Sequence, residues 1–137
     1  MIRAARETGF PTVYVIDPDP SIQASMLSLL GTLGVHGAVF ETAAEFFAAL
    51  DPRAGACVIT ELHLPDMNGL EIQKRLVEHG ADLPVIILAS DANVPTAVSA
   101  INSGAYDLIE KPFVNRVLLE RIRQALRRRS RDERMDL

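Results

Sequence analysis

The stretch Thr12–Pro20, TVYVIDPDP, runs five β-branched and aromatic residues into an alternation of aspartate and proline. A short apolar run without polar alternation is how a strand buried on both faces reads. Asp19 suits the N-cap of a following helix and Pro20 its first turn. That helix is marked by Ile22, Met26, Leu29, Leu30 and Leu33, which recur on one face. A buried strand passing straight into an amphipathic helix is the first half of a βαβ unit, and the rest of the chain repeats it.

Four more runs of strand length follow: VHGAVF (35–40), ACVITE (56–61), PVIILA (84–89) and AYDLIE (105–110). Thr42 and Glu45 form a capping box for a second helix. Gly80 fits the C-terminal cap of a third, from Gly69 to His79, and Gly104 stops a fourth that runs from Val94 to Ser103. The last helix carries Leu118, Ile122, Ala125 and Leu126 on one face. Five strand-then-helix units with right-handed crossovers make a doubly wound α/β sheet of five parallel strands with five helices.

A chain of 137 residues has room for one such unit. Its expected body is 12–128, with an N-terminal extension at 1–11 and a charged tail or linker root at 129–137. No apolar run approaches the roughly 18 residues of a membrane helix, and MIRAARETGFP lacks the apolar core of a secretory signal. The expectation is a soluble, cytoplasmic protein without membrane contact. Cys57, the one cysteine, sits among apolar neighbours and reads as a small buried hydrophobe. His36 and His79 fall at element ends with no metal-site spacing and read as exposed, as does His63 in its loop.

The net charge of −4 hides an asymmetry, since 8 of the 14 Lys and Arg but only 4 of the 18 acidic residues lie from Arg116 onward. The densest run, RRRSR at 127–131, reads as a solvated helix end or linker root rather than a nucleic-acid surface. No direct nucleic-acid binding is expected of this unit.

In an open parallel sheet, ligands bind beyond the carboxyl ends of the strands, where strand order reverses. The residues there are Asp17 and Asp19 after strand 1, Glu61 after strand 3, Ala89 and Ser90 after strand 4, and Lys111 after strand 5. Three carboxylates and a lysine are the residue types that Mg²⁺ and a phosphoryl group require. Any one of them alone would be an ordinary solvated loop charge.

Taken together, VYVIDPDP, ELHLPDMNGLE and GAYDLIEKPF, with LPVIILAS and VPTAVSAINSGA between the last two, resemble the receiver domain of two-component response regulators. The likeness is strongest to the kind found in nitrogen-fixation and LuxR-type regulators and spans Thr12 to Leu126. It implies a flavodoxin-like sheet of order 2-1-3-4-5, a cis Lys111–Pro112 bond and a role in signalling rather than catalysis. It further implies an aspartate after strand 3 that accepts a phosphoryl group from a histidine kinase, with Mg²⁺ on an acidic pair after strand 1. A hydroxyl residue after strand 4, an aromatic switch on strand 5 and a clamping lysine complete that set.

Set against this pattern, Asp17 and Lys111 are retained. Pro18 stands at the second acidic position, Glu61 at the phosphoacceptor, Ala89 at the hydroxyl residue and Leu108 at the aromatic switch. Pro18 has neither a carboxylate nor an N–H. Glu61 carries its charge outward by roughly 1.5 Å, about one C–C bond. Displacements of that order cost phosphoryl transfer about a hundredfold. Ala89 offers no hydrogen bond, and strand alternation aims Ser90 elsewhere.

The expectation is therefore an atypical, phosphorylation-independent receiver with no cofactor. Weak Mg²⁺ binding at Asp17, Asp19 and Glu61 is the most that this residue set allows. Glu61 reaching Lys111 would either imitate the phosphorylated link or simply fill a vacated pocket. Partners are a histidine kinase, a fused or separate output domain, or a second copy through helix 4, strand 5 and helix 5. Two rivals stand beside this reading. One is a receiver still phosphorylated by a histidine kinase despite its altered site, with Glu61 as a candidate acceptor. The other is a haloacid-dehalogenase-like phosphohydrolase with Asp17 as nucleophile and Asp19 as general acid. The segment PSI after Asp19 and the lack of a late acidic pair count against the phosphohydrolase. A flavodoxin-like flavin site is weaker still, since no Ser/Thr/Gly-rich phosphate loop follows strand 1.

Overall fold

In a computed structural model, residues 11–53, 55–90 and 93–135 are described, with side chains through 128. The chain order is β1 (Thr12–Ile16), α1 (Pro20–Thr32), β2 (His36–Phe40), α2 (Ala43–Ala49), β3 (Gly55–Glu61), α3 (Gly69–Glu78), β4 (Val85–Ala89), α4 (Val94–Asn102), β5 (Asp107–Glu110) and α5 (Asn115–Met135). All strand pairs are parallel, and the sheet order is β2-β1-β3-β4-β5. The order reverses at the β1/β3 seam, where Ile16 pairs with Thr60. Asp17 and Glu61, the next residue on each chain, therefore leave the sheet side by side.

Both faces of the sheet are covered, which is why every position of β1, β3 and β4 is buried and most of them are apolar. On one face Val13, Val15, Ile59, Ile86 and Leu88 pack against Met26 and Leu30 of α1 and Leu118, Ile122 and Ala125 of α5. On the other, Tyr14, Ile16, Val58 and Ile87 pack against Phe46 of α2, Ile72 and Leu76 of α3 and Ala100 of α4. Each fully buried Leu, Ile or Phe among them contributes about 1.5–3 kcal/mol. Cys57 lies in the first layer, fully buried, its thiol pushed up to about 12 by desolvation.

The helix ends follow the expected caps with one change. Asp19 caps α1 by accepting from the Ser21 N–H, and the left-handed backbone after α3 and α4 falls on Gly80 and Gly104. Thr42 caps α2 through the Glu45 N–H at 3.2 Å, but the Glu45 carboxylate returns to the Glu41 N–H at 3.4 Å. The capping box is thus displaced by one residue. At the C-terminus, α5 continues as helix to Met135, through most of the segment expected as a charged tail or linker root. The expected extension at 1–11, Pro11 apart, lies outside the described residues, as do the side chains of the basic run from 129 onward.

His36 departs from its expected exposure. It opens β2 half-buried, and desolvation lowers its pKa. His63 and His79 are exposed, His79 stacking on Phe47 with ring centroids 5.4 Å apart. The Lys111–Pro112 bond is cis.

Candidate functional site

The carboxyl ends of β1, β3 and β5 bring three charges to one point. Lys111 Nζ lies 2.8 Å from Asp17 Oδ2 and 2.5 Å from Glu61 Oε2. The Asp17 contact is a regular hydrogen bond. The ammonium approaches Glu61 off the hydrogen-bond direction, leaving Oε2 without a regular donor, so this contact is an ion pair. The side chains of Asp17 and Glu61 are 2% and 8% exposed, and that of Lys111 is 16% exposed. Burial works against the Lys111 ammonium, but its bonds and charge contacts with Asp17 and Glu61 outweigh this and raise its pKa.

Backbone donors hold the remaining carboxylate oxygens. Asp17 Oδ1 accepts from the Asp19 N–H at 2.9 Å, and Glu61 Oε1 accepts from the His63 N–H at 3.4 Å. Lys111 is positioned by its own N–H, which donates to the Ala89 carbonyl at 2.7 Å. The strand-end geometry thus gathers Asp17, Glu61 and Lys111.

Asp19 takes a different course. It is exposed, and its Oδ1 accepts from both the N–H and the hydroxyl of Ser21 at 2.9 Å. These bonds lower its pKa. The role of helix cap thereby holds Asp19 out of the cluster. Pro18 is exposed and presents no side-chain oxygen. Among the described residues, no three His, Cys, Asp or Glu side chains are grouped as metal ligands. Asp17, Asp19 and Glu61 therefore do not assemble the set considered for weak Mg²⁺ binding.

Ala89 is fully buried in the layer beneath α2, α3 and α4, and Leu108 packs partly buried against the same layer. Ser90 is exposed. The aromatic residue closest to Leu108 in sequence, Tyr106, faces the opposite layer, with Arg128 5.6 Å above its ring. No aromatic side chain of β5 therefore shares the layer of Ala89.

Two supporting residues carried no sequence signal. Gln23 reaches back from α1 to donate through Nε2 to the Asp17 carbonyl at 2.7 Å. Asp66, in the loop after β3, accepts from the N–H groups of Ala43 and Ala44 at 3.1 and 2.9 Å and so caps α2 from a distance. Only the assembled sheet puts these partners together. A concavity of about 710 Å³ runs along α3 past Leu70, Lys74 and Val77 to Ser103, away from the strand ends. The charges rather than the cavity mark the site.

The parallel sheet of order 2-1-3-4-5, with charged residues at its strand ends, has counterparts among known proteins. Residues 13–123 match the response regulator receiver domain family. The chain belongs to that family and is a receiver domain of signal transduction. It is 34% identical over 115 residues to the response regulator protein TmoT of Ectopseudomonas mendocina, covering 84% of this chain and 52% of TmoT. It is 34% identical over 124 residues to the transcriptional regulatory protein FixJ of Azorhizobium caulinodans, covering 90% and 59%. The crystal structure of a response regulator receiver protein from Pseudoalteromonas atlantica superposes with a TM-score of 0.79 at 34% identity, covering 85% of this chain and 98% of that one. The chain spans about half the length of the curated relatives it matches. Among the described residues, no helix is long and apolar enough to cross a membrane.

Proposed function

We propose that this receiver signals without being phosphorylated, as a protein-interaction module whose pocket is closed by its own charges. The observation that carries this reading is Lys111 held between Asp17 and Glu61. Phosphoryl transfer depends on positioning and on neutralising charge. Here the neutralising cation is committed to two carboxylates. The residue at the acceptor position is a glutamate pointing at that cation, and Ala89 has no hydroxyl to meet a transferred oxygen.

A Mg²⁺ ion does not fit this donor set. It needs several oxygens at about 2.0–2.1 Å in near-octahedral order. Pro18 supplies none, Asp19 is turned to Ser21, and the oxygens of Asp17 and Glu61 already face an ammonium or a backbone N–H. The same fate of Asp19 counts against the phosphohydrolase reading, which needs it as a general acid beside Asp17.

The contact surface we assign is the side formed by α4, β5 and α5. Val94, Val98 and Ile101 project from α4 with exposures of 76%, 52% and 52%, one helical turn apart, and Val114 and Val117 are exposed at the start of α5. Such a stripe suits a second copy or an output domain. The names of TmoT and FixJ place this kind of domain in regulators, FixJ in a transcriptional one. We extend that role to this chain: a receiver, cytoplasmic and non-enzymatic, that passes a signal to a transcriptional output. Treatment with acetyl phosphate and Mg²⁺ followed by intact-mass measurement tests the proposal, which expects no phosphate-sized gain.

A further inference from the structure

Helix α3 buries three long side chains, Ile72, Gln73 and Leu76, and the middle one is polar. Gln73 is 7% exposed, and among the described residues nothing donates to its Oε1. A buried amide oxygen without a donor carries an uncompensated desolvation cost, so something other than a hydrogen bond accounts for its place. The amide lies against the turn that follows α4: a Cβ on Gly104 would stand 3.0 Å from Gln73 Nε2 and 3.8 Å from its Cδ. Gly104 has φ +98°, so glycine is required there by its own backbone and by its neighbour. The turn is closed by the N–H groups of Gly104 and Ala105, which donate to the Ile101 and Ala100 carbonyls, each at 3.0 Å. At Ser103 it borders the concavity of about 710 Å³ along α3, which leaves room for it to shift.

We propose that Gln73 is a positioning residue: a spacer between α3 and the turn at Gly104 that fixes α4, and with it the exposed stripe Val94, Val98 and Ile101. The contact is steric, since no hydrogen bond joins the carboxamide to the turn among the described residues. What matters is therefore the length of the side chain at 73 and the absence of one at 104. Its service to the stripe rests on the reading of α4 as a contact surface, whereas the spacing itself does not. A partner seated on α4 would then feel the packing of α3, although it never touches Gln73.

The test measures amide exchange and methyl NMR signals in the full chain and its variants. Gln73→Met keeps the length and drops the orphaned oxygen, so protection of the Gly104 and Ala105 amides should stay within about twofold of the parent. Gln73→Ala removes the spacer, and protection at those two amides should fall about tenfold while the amides of β1 are unaffected. The methyl signals of Val98 and Ile101 should move in Gln73→Ala and stay in place in Gln73→Met. If Gln73→Ala does not fold, Gln73→Ser takes its place with the same expectation. Gly104→Ala should lower the thermal midpoint less in the Gln73→Ala background than in the parent, because only the backbone strain is then left. Unchanged protection in Gln73→Ala, equal losses in the Met and Ala variants, or strictly additive midpoints would overturn the proposal. Phosphorylation is read separately by mass, so a protein that takes no phosphoryl group but is indifferent to Gln73→Ala sinks this inference alone.

Discussion

Lys111 and Glu61 meet across β4, at 2.5 Å, although their strands are not neighbours in the sheet. The contact brings a charge from the end of β3 to one that follows β5, over a strand that ends in alanine. Asp17 joins from β1 on the other side of Glu61, so one ammonium serves two buried carboxylates.

That two-to-one arrangement makes the three residues unequal. Lys111→Met leaves two buried carboxylates facing each other and should cost about 2–4 kcal/mol, somewhat below a fully buried pair because the lysine is partly solvated. Glu61→Gln removes the excess negative charge while keeping the Lys111–Asp17 pair, and should cost less than about 1 kcal/mol. Urea denaturation at neutral pH measures both. Equal losses would mean that the Glu61 contact matters as much as the Asp17 bond.

The pH dependence follows from Lys111, whose pKa in the folded protein lies above its ordinary 10.5 because the two carboxylates outweigh the cost of burial. A raised pKa means that the stabilisation is complete below 10.5 and disappears as pH climbs through the folded value. The stability gap between the parent protein and Lys111→Met should therefore be flat through neutral pH and shrink above about pH 10.5. A gap that closes below pH 9 would contradict the carboxylate contacts.

Asp66 makes the opposite prediction. Its carboxylate is held below the usual range: desolvation works to raise its pKa, but the bonds from Ala44 and Ala43 and the nearby Arg75 together outweigh it. Asp66→Ala should cost about 1 kcal/mol, as for the loss of a helix cap. The cost is present above pH 3.8 and fades as pH falls through the lower folded value. Hydrogen exchange should show the loss in the first turn of α2, together with the loop after β3.

Association through α4 should be independent of phosphodonors. Beryllofluoride, which imitates an acyl phosphate, should leave the sedimentation profile unchanged. Val98→Glu should weaken whatever self-association the protein shows. A beryllofluoride-induced dimer would mean that the pocket still switches.

Much of this was legible in the sequence because the cues were local. The unbroken apolar runs at Val13–Ile16 and Val85–Ala89 could only be strands covered on both faces, and Asp19, Gly80 and Gly104 marked helix ends through backbone requirements of their own. The strand-end rule led to Asp17, Glu61 and Lys111. It misplaced Asp19, which faces two demands that one carboxylate cannot meet, and the helix cap took it. The Asp66 link to α2 and the burial of His36 arise only when distant segments pack, so no window of sequence could show them. The basic run after Leu126 reads as a solvated helix end or linker root, and the backbone continues as helix to Met135.

The most direct test of a phosphorylation-independent receiver is the intact mass of the protein after acetyl phosphate and Mg²⁺, measured beside Glu61→Asp alone and the combination Pro18→Asp, Glu61→Asp and Ala89→Thr. Because the parts of a phosphoryl-transfer site act as a unit, their effects should be strongly non-additive. The account expects no phosphate-sized gain in the unaltered protein, almost none in the single variant, and measurable labelling in the triple variant. A gain in the unaltered protein that maps to Glu61 would contradict it.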